Sequence, residues 1–362
     1  MTILFFARLF YPHIGGVEKH VLEISKRLVK KGHEVTVITE QLPESHSAYK
    51  QSKSLSARHM GEIDGVKIIR INAGKNDWFK KFRIWKRLWK KRAYIKDADI
   101  VHCHDVFFWY LPFRFLYPTK KIFTTFHGYE GNKIPGKKAI AMHKISEVLS
   151  NGNICVGNFY KKWYGTKPTF VTYGAVDFKN IEKYKTEKKN NRNLNNKIIF
   201  FGRLENETGI MKYLEALKIL KKKGIDLGLD IYGEGSLAEA VNKYKKENNL
   251  RIRTNEFILN IESVLNNYEY VFCSRYLSML ESMAFSKPVF AEYENPIKKD
   301  YLQMTPFSKY ISISKDAAQI VENLENYLSG KKIADTQKAY EWVKAYTWEN
   351  MVNMYLRLWQ SS

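Results

Sequence analysis

Short apolar segments alternate with amphipathic segments along nearly the whole chain. The first forty residues already show this pattern, because the apolar run TILFFARLF is followed by a glycine turn, a segment with helical apolar spacing, and a second apolar run, EVTVIT. Strands that alternate with helices pair in parallel, and a parallel sheet needs helices on both of its faces. The sequence therefore predicts an α/β protein built from doubly wound parallel sheets.

A polar stretch interrupts the alternation in the middle of the chain. Residues 178–197 consist almost entirely of Lys, Asn and Glu and lack apolar periodicity, which is typical of an exposed connector. A second alternating series begins at residue 197. We therefore predict two Rossmann-like domains, 1–178 and 197–345, that are joined by a hinge at 179–196 and face each other across a cleft.

The charge of the chain is strongly positive and unevenly distributed. The formal net charge is +23, and residues 1–180 hold 32 lysines and arginines against 14 acidic residues, whereas residues 181–362 hold 28 against 23. A negatively charged partner is therefore expected to bind the N-terminal half. Polyanions, anionic lipid surfaces and phosphorylated substrates all fit this asymmetry.

Nothing in the sequence predicts a membrane-spanning segment. No run approaches 18 consecutive apolar residues, and Arg8 interrupts the N-terminal apolar run too early for a signal peptide. Cys103, Cys155 and Cys273 are far apart and share no metal-type spacing, which favours reduced thiols in a cytosolic protein. We expect a cytoplasmic protein whose membrane contact, if it has one, is peripheral and on the cytoplasmic face.

Seven segments together resemble, in order and spacing, the two-domain (GT-B fold) glycosyltransferases of family 4, also called glycosyl transferases group 1. They are FYPHIGGVEKHVLEISKRLVKKGHEVTVIT near the start, TFHGYE (125–130), YGAVDF (173–178), FGRL (201–204), IYGEG (231–235), LESMAFSKPVFA (280–291) and YTWENMVNMYLRLW (346–359). The resemblance implies transfer of a sugar from a UDP- or GDP-linked donor to a glycan or a polyprenyl- or other lipid-linked acceptor. It further implies retention of configuration, no tightly bound cofactor or metal ion, and a final helix, about 346–362, that packs back on the first domain.

Two features of the first domain are candidate ligand contacts. Gly15 and Gly16 follow a strand, where glycines let a ligand approach the backbone and the next helix offers free N–H groups to an anion. His127 ends the strand KIFTTFH, and ligands bind at such strand ends. Taken alone, both features also have ordinary structural explanations. The resemblance places the glycine loop near the donor phosphate and the acceptor, and His127 against the reacting sugar; His13, His102 and His104 are weaker candidates.

The second domain supplies candidate contacts to the nucleotide. Arg203 follows the strand IIFF and Gly202, and a cation there suits a diphosphate leaving group, whose departure requires neutralisation of charge. The resemblance implies that the loop at Gly202 and Arg203 contacts the diphosphate. It also implies that Glu281, the second acid of the family's E-x7-E pair, holds the ribose.

Two positions depart from the family pattern. The related enzymes have a lysine where this chain has Thr208, and Lys212, one helical turn later, is a candidate substitute. The first glutamate of the E-x7-E pair is replaced by Cys273, and the loop that follows is shorter than usual. Candidate substitutes for the missing donor contacts are Ser274, Tyr276 and Ser278.

Two other classes of function remain open. The two departures fit a catalytically weak or inactive glycosyltransferase-like subunit that binds and regulates a partner. The positive charge alone would fit a nucleic-acid-binding protein, but the sequence has no DNA- or RNA-binding motif, and we expect no nucleic-acid partner. Motifs for a P-loop, a serine-hydrolase elbow or a cysteine- or histidine-based metal site are also missing from the sequence.

The segment 77–96, DWFKKFRIWKRLWKKRAYIK, combines three tryptophans with nine lysines and arginines. At about 100° per residue, one helical stripe of roughly 60° holds four aromatic residues, which predicts that they pack inward on the sheet. These residues are Trp78, Phe82, Trp85 and Trp89. The basic residues on the other faces are expected to contact an anionic membrane, and each should contribute about 1 kcal/mol to the binding free energy. They are Lys80, Lys81, Arg83, Lys86, Arg87, Lys90 and Lys91.

Overall fold

The fold was analysed in a computed structural model that describes residues 1–13, 15–41, 61–129, 133–186, 197–258, 260–331 and 335–360. The chain divides into two compact units. The first contains Met1–Glu130, Pro135–Thr172 and Trp348–Ser362, and the second contains Gly131–Ile134 and Tyr173–Thr347. The first unit therefore takes in both the beginning and the end of the chain.

The described strands of the first unit form one eight-stranded sheet in the order β3-β4-β2-β1-β5-β6-β7-β8. The strands are β1 (Thr2–Ala7), β2 (Glu34–Glu40), β3 (Glu62–Ile63), β4 (Val66–Ile71), β5 (Ile100–His104), β6 (Lys121–Phe126), β7 (Gly152–Val156) and β8 (Phe170–Thr172). All neighbours pair in parallel except β3 with β4. Because the order reverses at β1, the sheet has a switch point between β1 and β5, where ligands bind in folds of this kind.

Six helices in the described part of the first unit connect these strands. They are α1 (Gly16–Lys30), α2 (Lys80–Lys90), α3 (Arg92–Asp97), α4 (Phe107–Leu116), α5 (Lys137–Leu149) and α6 (Phe159–Trp163). Helix α1 buries Val21, Ile24 and Leu28, which recur at helical spacing as the sequence predicts.

The face that helix α2 buries differs from the predicted one. The helix packs inward through Ile84 and Leu88, and Trp85 is only half-buried, with its Nε1 donating a hydrogen bond to the carbonyl oxygen of Phe108 at 2.8 Å. The predicted burial of the aromatic stripe is therefore wrong. Four aromatic residues of the segment 77–96 are exposed, with these fractions of their surface accessible to solvent: Trp78 (80%), Phe79 (64%), Phe82 (55%) and Trp89 (51%).

Two of the seven basic residues expected at a membrane are instead paired within the unit. Lys80 is half-buried and its Nζ lies 2.8 Å from Glu40 Oε2, while Arg83 pairs with Asp77 at 2.8 Å. Acidic partners distant along the chain or in the preceding loop thus neutralise these two charges. The other five side chains are exposed: Lys81, Lys86, Arg87, Lys90 and Lys91.

The described strands of the second unit form a six-stranded parallel sheet in the order β11-β10-β9-β12-β13-β14. They are β9 (Lys197–Phe201), β10 (Gly228–Tyr232), β11 (Ile252–Asn255), β12 (Tyr270–Phe272), β13 (Val289–Glu292) and β14 (Ser312–Ser314). Its switch point lies between β9 and β12, since the strand order runs outward from β9 in both directions. The predicted architecture of two parallel α/β sheets is confirmed.

The first helix of the second unit begins where the sequence predicts an exposed connector. In the described residues the helices of this unit are α7 (Phe178–Thr186), α8 (Ile210–Lys222), α9 (Ala238–Glu247), α10 (Glu262–Leu265), α11 (Tyr276–Ala284), α12 (Pro296–Gln303), α13 (Ala317–Leu328) and α14 (Thr336–Val343). Helix α7 occupies the start of the connector expected at 179–196, because Ile181 is fully buried and anchors it. Residues 187–196 lie outside the described residues.

The last helix, α15 (Trp348–Gln360), belongs to the first unit. It buries one long face, and its partners include α1 and β7. The buried residues are Trp348, Met351, Val352, Tyr355, Leu358 and Trp359. None of the described helices is both long enough and apolar enough to span a membrane.

The loops after β9 and β10 approach each other so closely that glycine is required between them. A Cβ atom at Gly233 would lie 1.9 Å from the carbonyl oxygen of Gly202, and one at Gly235 would lie 2.3 Å from that of Leu204. Backbone hydrogen bonds of 3.1 and 2.8 Å join the same two loops, from Gly202 to Tyr232 and from Leu204 to Glu234. The IYGEG segment thus fixes the shape of the Arg203 loop.

We therefore expect Gly233→Ala to lower the free energy of unfolding of the second unit by roughly 1–3 kcal/mol, as overpacking does elsewhere. Urea denaturation would measure the change. Gly228→Ala is the matched control, because a Cβ atom at Gly228 meets its nearest neighbour at 3.7 Å. Equal stabilities of the two variants would contradict this account of the loop.

Candidate functional site

Next to the switch point of the first sheet, histidines come together at the ends of β5 and β6. His104 pairs with Thr125 across these strands, so that His127, two residues further on, comes next to it. His104 Nδ1 and His127 Nε2 lie 2.9 Å apart and share a hydrogen bond. The backbone N–H of His127 donates to Asp105 Oδ1 at 2.9 Å, which holds the loop after β6 against the loop after β5.

His20 of helix α1 completes this cluster and was not recognised from the sequence. Its ring lies edge-on to that of His127, with centroids 4.7 Å apart, and its Nε2 is 2.8 Å from the hydroxyl of Tyr355. Burial lowers the pKa of His20 to about 3. Burial also lowers the pKa of His102, His104 and His127 well below the ordinary value, so the whole cluster is uncharged at neutral pH.

The histidine cluster also has the spacing that a metal site requires. His20, His104 and His127 each offer one ring nitrogen within 4.8 Å of the other two, and they form the one such group found among the described residues. However, His104 Nδ1 and His127 Nε2 already share a hydrogen bond, and His20 Nε2 is hydrogen-bonded to the Tyr355 hydroxyl. An ion bound there would have to replace those hydrogen bonds.

The predicted glycine loop carries an internal acid at the start of α1. Gly15 is the residue before the helix and Gly16 is its first residue. The carboxylate of Glu18 lies over Gly15, where a Cβ atom would be 2.3 Å from its Oε2, and its Oε1 is 3.1 Å from His13 Nδ1. Gly15 thus permits a carboxylate to approach the helix N terminus, and an anionic ligand would compete with it.

Two arginines converge at the switch point of the second sheet. Arg203 follows β9 and Arg275 follows β12, and the pairing of Phe200 with Phe272 gives the two arginines the same offset beyond their strands. Arg203 Nη2 donates to Glu207 Oε1 at 2.7 Å, and Arg275 Nη2 lies 3.6 Å from the same oxygen. Arg275, which the sequence analysis missed, therefore provides a second cation beside Arg203.

A buried lysine joins the two loops that carry these arginines. Lys298 is 1% exposed, and its Nζ donates to the carbonyl oxygens of Glu207 at 3.0 Å and of Ser274 at 2.8 Å. Burial, assisted by the charge of Arg275, lowers its pKa well below the ordinary value. Its hydrogen bonds hold Glu207 and Arg275 at a fixed separation.

Thr208 and Lys212, at and near the position of the family's lysine, both bond within the unit. The Thr208 hydroxyl donates to backbone carbonyls of its own loop, and the side chain is buried. Lys212 Nζ lies 2.8 Å from the buried carboxylate of Glu292. Lys212 is thus paired with a buried acid of its own unit, and Arg275 is the second cation beside Arg203.

Most of the residues predicted to replace the missing donor contacts are buried and bond within the second unit. Ser274 and Tyr276 are buried; the Ser274 hydroxyl bonds Tyr213 and the backbone N–H of Glu292, and the Tyr276 hydroxyl donates to the carbonyl oxygen of Tyr301. The expectation that Ser274 and Tyr276 replace the missing donor contacts is therefore not supported by their geometry. Ser278 is half-buried on α11.

Cys273 and Glu281 lie inside the second unit. Cys273, at the position of the family's first glutamate, is fully buried, and burial raises the pKa of its thiol. Glu281 is 4% exposed in the middle of α11, so it is not the exposed helix carboxylate that an ordinary surface residue would be. A buried carboxylate is expensive unless it is paired. Glu281 shares its burial with Glu262 of α10, which is 5% exposed.

We expect the buried histidines to make the first unit sensitive to acid. His20 stays neutral in the folded protein down to pH about 3, whereas the unfolded chain binds its proton near pH 6.5. Because the unfolded state then binds more protons, His20 alone should lower the free energy of unfolding by about 2 kcal/mol between pH 7.5 and 5. Urea denaturation of the wild type and of His20→Asn would test this. Parallel pH dependences of the two proteins below pH 6.5 would contradict a neutral His20.

Both halves of the chain match models of glycosyltransferase families. Residues 14–177 match the model of Glycosyltransferase Family 4, and residues 182–345 match that of Glycosyl transferases group 1. Among proteins of curated function, no sequence match to the chain was found.

Solved structures of glycosyltransferases share the fold over almost the full length. A glycosyltransferase from Rickettsia africae ESF-5 has a TM-score of 0.69 at 17% identity, covering 99% of this chain and 98% of that one. Anabaena HepE (Alr3699), solved with UDP-glucose, has a TM-score of 0.72 at 11% identity with full coverage of both chains. The lipopolysaccharide outer core galactosyltransferase WaaB, in its apo form, has a TM-score of 0.64 at 14% identity with 99% coverage of each.

The structural likeness and the family models lead to the same conclusion. Identities this low show the fold alone, and they confirm the two-domain GT-B fold predicted from the sequence. The two family models supply the class, because they follow each other in order and between them cover nearly the whole chain. The chain therefore belongs to the family 4 type of GT-B glycosyltransferases.

Proposed function

We propose that the protein transfers a sugar from a nucleoside-diphosphate sugar to a lipid-linked or glycan acceptor at a membrane surface, with retention of configuration. In this proposal residues 197–345 hold the donor nucleotide. The observation that carries it is the pair of guanidinium groups, Arg203 and Arg275, at the switch point of the second sheet. Both contact a single carboxylate, Glu207, which occupies the place of an anionic ligand.

The chemistry of the arginine pair suits a departing diphosphate. Guanidinium groups bind phosphate oxygens through paired, charge-assisted hydrogen bonds, and positive charge fixed in advance stabilises negative charge that develops as the sugar leaves. Arg203, Arg275 and the N terminus of α11, which follows directly, supply that charge. The proposed reaction therefore requires no metal ion and no tightly bound cofactor.

The other predicted residues keep, in this proposal, the roles that the family resemblance implies. His127 and the Gly15–Gly16 loop of the first unit contact the reacting sugar and the acceptor. Glu281 holds the ribose, and because its side chain is buried, the donor reaches it only after neighbouring groups move. The UDP-glucose bound to HepE supports a UDP-linked donor, and the name of WaaB, a lipopolysaccharide outer core galactosyltransferase, supports a lipid-linked acceptor.

We expect Arg275→Met to weaken UDP binding about tenfold or more, and Arg203→Met to do the same. The physical reason is the loss of charge-assisted hydrogen bonds, each worth roughly 1.5–3 kcal/mol. Isothermal titration with UDP, and a thermal-shift screen of UDP-, GDP- and ADP-sugars, would measure it. Arg253→Met is the matched control, because Arg253 also pairs with a carboxylate, Asp230, at the far edge of the same sheet.

Glu207→Gln provides a test in the opposite direction. Removing the carboxylate charge frees both arginines, so the affinity for UDP should rise severalfold. If no nucleotide sugar stabilises the wild type, the transferase proposal fails. The remaining candidate is then a glycosyltransferase-like subunit that binds a partner protein.

Helix α2 supports the membrane part of the proposal more strongly than charge alone. Its exposed tryptophan and phenylalanine side chains occur together with the exposed cations Lys86, Arg87 and Lys90. Aromatic side chains favour the interface of a bilayer, and basic side chains are attracted to anionic headgroups. On helix α4, which packs against α2, Phe115 and Leu116 are exposed as well.

We expect the protein to sediment with vesicles that contain anionic lipid and much less with purely zwitterionic ones. Lys86→Glu/Lys90→Glu should reduce binding by about tenfold or more, since about 1 kcal/mol is lost per cation and repulsion is added. Trp78→Ser/Phe82→Ser should reduce it with little change in salt dependence. Lys243→Glu/Lys246→Glu, on the exposed face of α9, changes the charge equally and should leave binding unchanged. Unaltered sedimentation of both the Lys86/Lys90 and the Trp78/Phe82 variants would refute membrane docking through α2 and the two residues before it.

A further inference from the structure

A continuous chain of hydrogen bonds runs from helix α15 through the first sheet to His20. Trp359 Nε1 is 3.1 Å from His102 Nδ1, and His102 Nε2 is 2.8 Å from Thr125 Oγ1. Thr125 Oγ1 is 2.8 Å from the Tyr355 hydroxyl, which is 2.8 Å from His20 Nε2. All five side chains are buried. A chain of this kind is expected to have a single arrangement of protons.

The position of each proton follows from the indole. Trp359 N–H can only donate, so His102 accepts at Nδ1 and, being uncharged, carries its proton on Nε2. His102 then donates a hydrogen bond to Thr125 Oγ1, and the Thr125 hydroxyl donates one to the hydroxyl oxygen of Tyr355. The Tyr355 hydroxyl donates in turn to His20 Nε2. This is the arrangement in which every donor of the chain has one acceptor, and it leaves His20 with its proton on Nδ1.

The chain of hydrogen bonds ends at His20 Nε2 and leaves the other ring nitrogen of His20, Nδ1, unused. Among the described residues it makes no hydrogen bond, whereas Nε2 is bonded to Tyr355. The ring lies against His127 and against the indole of Trp348, whose centroid is 5.7 Å away. His20 also lies one helical turn beyond the Gly15–Gly16 loop, so its N–H group is close to the residues proposed to contact the sugar.

We propose that Tyr355 and Trp359 are positioning residues that fix His20 as an uncharged hydrogen-bond donor at Nδ1, and that this N–H binds a hydroxyl or phosphate oxygen of the sugar substrate beside His127. The assignment of the ligand rests on the proposed function. The fixed tautomer does not rest on it, because it follows from the hydrogen bonds of the free protein. His20 is then a binding residue that neither takes nor gives up a proton.

The tautomer can be observed directly by long-range 1H–15N correlation on protein labelled with 15N-histidine. In the wild type His20 should show a protonated Nδ1 and an unprotonated Nε2, with its signals identified by their loss in His20→Asn. Tyr355→Phe and Trp359→Phe should each give a mixture of tautomers. Trp348→Phe is the control, because its indole packs on His20 without a hydrogen bond to it. A protonated Nε2 in the wild type, or unchanged spectra in both variants, would overturn the proposal.

Two substitutions of His20 test the donor itself. The amide nitrogen of Asn can replace Nδ1, whereas that of Gln replaces Nε2. With UDP-glucose as the probe, His20→Asn should keep kcat/KM for hydrolysis within about threefold of the wild type, and His20→Gln should lose about tenfold, the value of one hydrogen bond. The reverse order would overturn the role of Nδ1. Failure of the nucleotide site would leave the spectra of the free protein unchanged, so the two proposals fail separately.

Discussion

Parallel strand pairing decides which loop residues meet in each unit, and the candidate sites depend on it. Residues at equal distances beyond paired positions come to the same level at the carboxyl edge of a sheet. This brings His127 to His104 in the first sheet and Arg275 to Arg203 in the second. At a switch point the connections leave to opposite faces of the sheet, which keeps the edge open for a ligand.

Both candidate anion sites hold an acid of the protein itself. Glu18 lies over Gly15 at the start of α1, and Glu207 lies between Arg203 and Arg275. In the free protein Glu207 offsets the repulsion between the two arginines, and Glu18 faces the N terminus of α1. One carboxylate does not balance two guanidinium groups, however, so a diphosphate of higher charge can replace Glu207 with a net electrostatic gain. In the proposed donor site, Glu207 would therefore favour a diphosphate over a singly charged ligand.

The sequence was sufficient to predict the fold and single functional residues at strand ends. It was not sufficient to predict which of those residues lie next to each other. Alternation of strands and helices, with seven ordered segments, predicted two parallel sheets, and Arg203 and His127 could be placed after their strands. Arg275 required the knowledge that β12 lies next to β9, which only the sheet order gives. A search for basic residues at equal offsets after strands that are predicted to be neighbours would have found it.

Helix α2 shows why periodicity alone cannot choose the buried face. Its sequence contains an aromatic stripe and a shorter aliphatic one, Ile84 and Leu88, and both have helical spacing. The structure buries the aliphatic pair, and it neutralises Lys80 with Glu40, an acid forty residues away. The local sequence pattern predicts neither the space available above the sheet nor an ion pair with a residue distant along the chain.

The last helix shows the same limit for polar atoms. The resemblance implies only that this helix packs back on the first domain, yet two of its buried residues carry the hydroxyl and the indole N–H that bond polar groups of the sheet. His102 and Thr125 point polar atoms into the layer between β5, β6 and α15, and buried polar groups require partners. Tyr355 and Trp359 are therefore specified by hydrogen bonding as much as by volume. Phenylalanine would fill similar space there but would leave His102 Nδ1, Thr125 and His20 Nε2 without these bonds, so the helix that completes the core also sets the protonation of the site.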